Sequence, residues 1–369
     1  MNEGFSGEPM SAGASGKSRG VDLEVRFPDA VDLSRVRSLL GVARERAGAP
    51  VERVLTLNLI GIHYSDLSWE KGQVSLEAVS SLHPARIVGL VALPNESESL
   101  VTARVAVLRP KGAPFFVERI VLRATGRSVR RLDSSLDGLL VPDVPIVVVW
   151  GGRVEGELLK RAIDSADRLI VDSGNRPPAA LLELDALVKR GAPVGDIAWA
   201  RIFPWQCLAA EVLDIPNLRE HRGNLQAARI TTAGAPGPEA LLLAGWFQSR
   251  VRRAKVSLVA GPLAPEGAGA EASVSVGAVT ELQFLAPPAE FVLRREKNGI
   301  LDAQVRGDDD GEVVHRLRLP PETPGGLLVQ ELKLLAGCDE VYAAALDEAA
   351  RFARELNPGA PAPPAPGPP

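Results

Sequence analysis

"IVVVWGGRVEGELLKRAIDSADRLIVD", residues 146 to 172, decides the fold class. A short run of β-branched residues leads through a glycine-rich turn into a segment with helical spacing. A second short apolar run, "DRLIVD" (167–172), follows it. Apolar runs of this length, bounded by turn residues, read as buried strands. Two of them with a helix between form a βαβ unit, whose strands lie parallel because the helix carries the chain back to its starting edge. "PPAALLELDALVKR" (177–190) continues the alternation, with Pro near the helix start, where its missing N–H costs nothing.

Working outward, "DLSRVRSLLGVARER" (32–46) reads as a helix: Leu33, Val36, Leu40 and Ala43 share a face and Asp32 can cap it. "RVLTLNLIGIHY" (53–64) reads as a strand, with Leu55, Leu57 and Leu59 alternating with Thr56 and Asn58. A short helix, "EKGQVSLEAVSSL", ends at His83-Pro84, and three further strands follow at "ARIVGLVAL", "LVTARVAVL" and "FFVERIVLRA". "RSVRRLDSSLDGLL" (127–140) reads as helix. Beyond residue 225 the texture turns to strands, with hairpin turns at "KNG" and "DDDG", and a final helix at "DEVYAAALDEAARFAREL" (339–356). The fold class expected is mixed α+β and α/β. A small mixed-sheet α+β domain (21–140) precedes a domain (141–356) with a βαβ-like start and an antiparallel sheet with helices. Residues 1–20 are expected to be a disordered Gly/Ser-rich tail and 357–369 a Pro-rich one.

Composition narrows the function. With 46% hydrophobic and 24% charged residues, the 369-residue chain is an ordinary globular one. A net charge of −4 argues against a general nucleic-acid binder. No apolar run approaches the roughly 18 residues of a membrane helix. The N-terminus has no apolar core of a secretory signal, so a cytoplasmic location is expected. Two Cys and four scattered His offer no disulfide framework and no metal spacing.

Catalytic motifs are scarce. "WGGRVEG" sits between a strand and a helix, as a nucleotide loop would. Its GGxxxG spacing is not GxGxxG, and only Asp172, ending "DRLIVD", keeps the idea alive. Ser173 has no nearby base in sequence, and His63 continues the apolar face of its strand. Arg119, Arg123, Arg127, Arg130 and Arg131 form the densest charge feature, either a solvated face or a contact for an anion or acidic partner. Arg119 and Arg123 fall on one strand face.

"DIAWARIFPWQCLAAEVLD" (196–214) crowds two of the five Trp and one Cys around a Pro. Pro inside a helix costs roughly 3 kcal/mol, so two short helices are expected, with Asp196 capping the first and Pro204 opening the second. Trp199 and Trp205 suit either a core or a docking surface.

With these blocks in order, the chain resembles the OpcA family, the glucose-6-phosphate dehydrogenase assembly proteins. "RVLTLNLIGI", "HPARIVGL", "VPDVPIVVVWGG", "ADRLIVDSGN" and the Trp-Pro-Trp segment carry the resemblance. Two departures stand out: Val149-Trp150 where the family often has paired Trp, and Gln206 where Arg commonly follows Pro-Trp. The resemblance implies a non-catalytic cytoplasmic activator that binds glucose-6-phosphate dehydrogenase and promotes its active oligomer. No cofactor, metal, nucleic acid or membrane partner is expected. Trp199, Arg201 and Trp205 are the candidate interface residues. Cys207 and Cys338 could form a redox pair only if their Cα atoms came within about 7 Å. The alternative is a nucleotide- or sugar-phosphate-binding protein or enzyme.

Overall fold

The protein is described as a computed structural model covering residues 19–28, 30–50, 55–152, 157–216, 218–263, 275–296, 299–306, 312–319, 323 and 325–356. The βαβ reading holds: β6 (Ile146–Trp150), α4 (Glu157–Ser165) and β7 (Arg168–Val171) form a parallel unit. α5 (Ala180–Lys189) and β8 (Val194–Asp196) extend it, again in parallel. These strands belong to a larger sheet with β1 (Arg19–Phe27), β2 (Leu57–His63), β3 (Ala85–Leu93), β4 (Val101–Arg109) and β5 (Val117–Thr125). The order is β1-β4-β5-β3-β2-β6-β7-β8.

Six of the eight strands, β5-β3-β2-β6-β7-β8, are mutually parallel. Counted along the chain, their order is 3-2-1-4-5-6, that of doubly wound dinucleotide-binding sheets. The division expected at residues 140/141 therefore falls inside one hydrogen-bonded sheet, and the first sheet is not small. Asn58 on β2, fully buried, ties that position down: its amide donates to the Val141 carbonyl and accepts from the Val141 N–H, both at 2.9 Å. β1 is a strand the sequence reading passed over, and it begins at Arg19, inside the expected tail. Residues 1–18 and 357–369, the turn residues Lys297-Asn298 and "GDDDG" (307–311), and residues 153–156 of the glycine-rich turn lie outside the described residues.

β2 is buried on both faces, which explains its apolar residues on each, Asn58 and His63 being its polar exceptions. Ile60, Ile62, Val88, Leu90 and Val148 face the main core. Leu59, Ile87, Val91 and Val147 face a second cluster built on Trp69, Leu76 and Val79 of α2 (Asp66–Ser80) and Leu328 of α8 (Gly326–Glu331). α1 (Leu33–Ala47) starts at Asp32 as expected, with the carboxylate accepting from the Ser34 and Arg35 amides at 2.9 and 3.2 Å. Residues 127–140, expected as one helix, instead form 3₁₀ turns (Gly126–Arg131 and Asp137–Leu139) around the single turn α3 (Leu132–Ser135).

The second sheet comprises β9 (Ala227–Ala233), β10 (Lys255–Gly261), β11 (Val279–Ala286), β12 (Ala289–Glu296), β13 (Ile300–Arg306) and β14 (Glu312–Arg318), ordered β10-β9-β11-β12-β13-β14. β9 and β10 are parallel, bridged by α7 (Pro238–Arg250), and the other pairings are antiparallel. Ile230, Phe284, Phe291 and Leu301 fill the face toward α6 (Ile197–Asp214) and α7. α9 (Glu340–Leu356) packs on α7 and α5, so helices join the two sheets. Across the opposite face Glu281, Arg294, Asp302 and Arg316 stand in register as an alternating row, paired at 2.6 Å (Arg294–Glu281) and 3.1 Å (Arg316–Asp302).

α6 corrects the expected break at Pro204. It is one helix of 18 residues with the proline inside. The lost hydrogen bond and the clash are local costs of about 3 kcal/mol. Against them stand the buried side chains of Trp199, Ile202, Trp205, Leu208 and Val212, each worth about 1.5–3 kcal/mol. Tertiary burial wins.

Candidate functional site

In a sheet of this order the ligand crevice lies beyond the carboxyl ends of the two central strands, where the winding direction reverses. Here those strands are β2 and β6, and they do not part. The Gly151 N–H donates to the Ile62 carbonyl at 2.8 Å, extending the pairing past the strand end. A Cβ at Gly151 would lie 2.6 Å from Nδ1 of His63, and one at Gly152 would collide with the Tyr64 ring. Tyr64 in turn meets Trp150 edge-on, 5.9 Å between centroids. The imidazole of His63, on a strand end, is packed against Trp69 (5.6 Å) and hydrogen-bonded to Ser68 Oγ at 2.8 Å. Among the described residues, His63, Tyr64, Trp69 and Trp150 crowd the carboxyl ends of these two strands.

The phosphate-binding chemistry of such a crevice is also altered. A pyrophosphate would sit at the N-terminus of the helix after the first strand, over a glycine-rich turn. In this chain that turn reads "HYSD" (63–66). Ser65 Oγ accepts from the Ser68 N–H at 3.1 Å, and the Asp66 carboxylate occupies the first turn. Arg123 grips both Asp66 oxygens at 2.9 and 3.0 Å and holds that carboxyl below the usual range, so it stays negative. A phosphate would meet a carboxylate rather than free amides.

Burial pushes His63 down to about 4. The unfolded chain takes up a proton near pH 6.5 that the native imidazole refuses until about 4. The sign follows: native stability is complete above pH 6.5 and falls as pH drops toward 4, by about 3 kcal/mol at most. Urea unfolding at pH 7 and pH 4.5 checks this. His63→Gln is expected to lose less stability than the parent over that interval, and an equal loss in both would contradict it.

A second polar site surrounds the end of β7. Asp172 accepts from the Gly174 N–H at 3.1 Å, from Asn175 Nδ2 at 2.9 Å, and from both Arg201 terminal nitrogens at 2.8 Å. Arg201 also reaches Glu239, on the first turn of α7, at 3.3 Å. Beneath it Asp196 is fully buried and accepts from the Ser173 and Ala198 amides, each at 3.0 Å, and from the Tyr342 hydroxyl at 3.4 Å. Burial raises its carboxyl above the ordinary range.

The candidate interface residues fall in different places. Trp199 and Trp205 are 7% and 3% exposed and belong to the core, with Trp199 edge-on to Tyr342 at 5.6 Å. Neither indole is presented to a partner, and the exposed aromatic of α6 is Phe203. Arg201 alone of the three lines a cavity. Among the arginines, Arg119 pairs with Glu77 and Asp22, and Arg123 with Asp66. Both Glu77 and Asp66 lie on α2, as one strand face requires. Cys207 and Cys338 are both free thiols. Reading by motif missed Glu239 and Arg295, because nothing local marks two residues that meet Arg201's cavity only through the fold. It also missed the buried pair Arg168–Glu331, at 2.9 Å. Among the described residues no cluster of three or more His, Cys, Asp or Glu could hold a metal ion, and no helix is long and apolar enough to cross a membrane.

Fold and crevice together define a doubly wound α/β protein of the dinucleotide-binding order, without the glycine fingerprint and with His63, Tyr64 and Asp66 crowding its central crevice among the described residues. The chain belongs to the OpcA family. Residues 76–186 match the family model described as the glucose-6-phosphate dehydrogenase subunit N-terminal domain, and residues 192–346 match the C-terminal one. It is 30% identical over 196 residues to an OxPP cycle protein, OpcA, of Synechocystis sp.. It is 30% identical over 190 residues to that of Nostoc punctiforme. These matches cover 51% and 49% of this chain and 41% of each relative, so less than half of the relatives' length is spanned. Among solved structures, levoglucosan dehydrogenase with NADH and L-sorbose is similar at TM-score 0.46 and 12% identity, covering 82% of this chain and 98% of that one. A 3-ketoreductase from Actinomadura kijaniata follows at TM-score 0.44 and 12% identity, with the same coverage.

Proposed function

We propose that this chain is a non-catalytic partner of glucose-6-phosphate dehydrogenase that promotes the enzyme's active oligomer. Membership of the family, through both of its domain models, ties the chain to that dehydrogenase and to the oxidative pentose phosphate cycle. The observation that carries the non-catalytic part is the crowded crevice: His63 and Tyr64 stand where a dinucleotide would lie, and Asp66 stands where its phosphates would. A binder activates an enzyme only by favouring its active state over the inactive one. The chain therefore binds a surface complete only in the assembled dehydrogenase, and by reciprocity the assembled form holds the chain more tightly.

Mixing the purified chain with its cognate dehydrogenase tests this. A complex in size-exclusion chromatography with light scattering, a shift of the dehydrogenase to a larger species and a higher rate of NADP⁺ reduction are the expected results. The chain alone should reduce no NADP⁺. Absence of a complex together with an unchanged rate would refute the reading, and turnover by the chain alone would refute its non-catalytic part.

A further inference from the structure

The crowded crevice leaves a different cavity unexplained. It lies beyond the carboxyl end of β7, between the two sheets, and has a volume of about 300 Å³. The loop after β7 supplies Gly174 and Asn175, and α6 supplies Arg201. The start of α7 supplies Glu239, β12 supplies Arg295, and the approach to β11 supplies Val276. Both family domains contribute, and the volume sits at the small end of ligand pockets, which run from roughly 300 to 1,000 Å³. We propose that this cavity binds a small, neutral, hydroxyl-rich molecule of the size and chemistry of a monosaccharide.

The lining selects that class. Arg201 and Arg295 offer only donors, and Glu239 offers only acceptors. Asp172, directly behind Arg201 at 2.8 Å, offsets one of the positive charges. An anion would face Glu239 and the Asp172 behind it. A cation would face two guanidinium groups. An apolar molecule would strip water from all of them without replacing its hydrogen bonds, which is costly. Neighbouring hydroxyls both donate and accept, so one polyol can serve carboxylate and guanidinium together. Val276, 72% exposed, gives the C–H face of a ring something to lie against.

The polar groups are also held in place before any ligand arrives. Arg201 is 17% exposed at its side chain and is fixed by Asp172 at two points and by Glu239 at a third. That contact needs glycine at 174, where a Cβ would lie 2.5 Å from Arg201 Nη1 and 2.8 Å from Glu239 Oε1. Fixed donors and acceptors lower the ordering cost of binding.

Saturation-transfer NMR and calorimetry on the full chain, with no dehydrogenase present, test the proposal with D-glucose, glucose 6-phosphate and inorganic phosphate as probes. D-glucose is expected to bind saturably with a Kd of about 1 mM or tighter. Arg295→Gln and Asn175→Ala are each expected to weaken it about tenfold, as loss of one hydrogen bond to the ligand implies, with the melting temperature of Asn175→Ala unchanged. Asn175 is exposed, so its variant keeps the fold even if Arg295→Gln does not. Binding of inorganic phosphate, or of glucose 6-phosphate without glucose, would make the cavity an anion site and overturn the proposal. No saturable glucose binding would overturn it as well, as would binding that both variants retain. None of these outcomes bears on complex formation with the dehydrogenase, which is read separately.

Discussion

Trp205→Ala is expected to destabilise the protein by about 4 kcal/mol, within the roughly 3–5 kcal/mol usual for emptying a buried aromatic site. Trp205 is 3% exposed and belongs to the core that joins the two sheets through α6. α6 already carries Pro204 inside it, so it depends on packing more than an unbroken helix would. Equilibrium unfolding in urea, followed by circular dichroism, measures the loss. Phe203→Ala, on the exposed side of the same turn at 45% exposure, is the internal control. It should change stability by no more than about 0.5 kcal/mol. The comparison separates two roles for the indole. A docking tryptophan would leave stability intact on truncation and weaken only the complex. A core tryptophan does the reverse, and the reverse is expected.

Glu118→Leu is the second large effect, an expected loss of about 3–5 kcal/mol. Glu118 lies on β5 with 2% of its side chain exposed, between Arg44 of α1 at 2.7 Å and Arg86 of β3 at 2.7 Å. Burial works to raise its pKa, but the hydrogen bond from Arg44 and the charge of Arg86 prevail, and the carboxyl ends below its usual range. It is ionised, and Leu leaves its arginines facing a side chain that accepts nothing. Arg86 keeps its bond to the Leu139 carbonyl at 2.8 Å, and Arg44, 22% exposed, can turn partly to water. The larger share of the penalty therefore falls on Arg86. Adding Arg86→Met to Glu118→Leu should recover more than half of the loss. If the double variant is as unstable as the sum of the singles, the two side chains are not energetically coupled and a charge stranded at Arg86 is not the source of the cost.

Much of this fold could be read locally and some could not. The α1 cap at Asp32 and the parallel β6-α4-β7 unit follow from nearest neighbours, and both are where the sequence puts them. β1 was equally legible: Val21, Leu23, Val25 and Phe27 alternate with Asp22, Glu24 and Arg26, and only its place beside a Gly/Ser-rich stretch hid it. The pairing of β2 with β6 was not legible, because nothing in either strand names a partner so distant in the chain. Pro204 misled for a related reason: the propensity rule is local, and the burial that overrides it comes from the second sheet and α7. For the sites, the sequence singles out Asp172 for a nucleotide loop and Arg201 for an interface, and the structure pairs the two at 2.8 Å. Glu239 and Arg295 carried no signal, since each is one charge among many until α7 and β12 bring it to the cavity.

The continuity of the first sheet bears on how this protein could arise or be rearranged. Cut at residue 140, the chain would turn its most central strand into an edge. β2 is apolar on both faces, and its freed N–H and C=O groups would form a template for indiscriminate strand addition. Asn58 would lose the Val141 backbone that satisfies it. The two halves are thus not separable at that point without exposing the β2 edge.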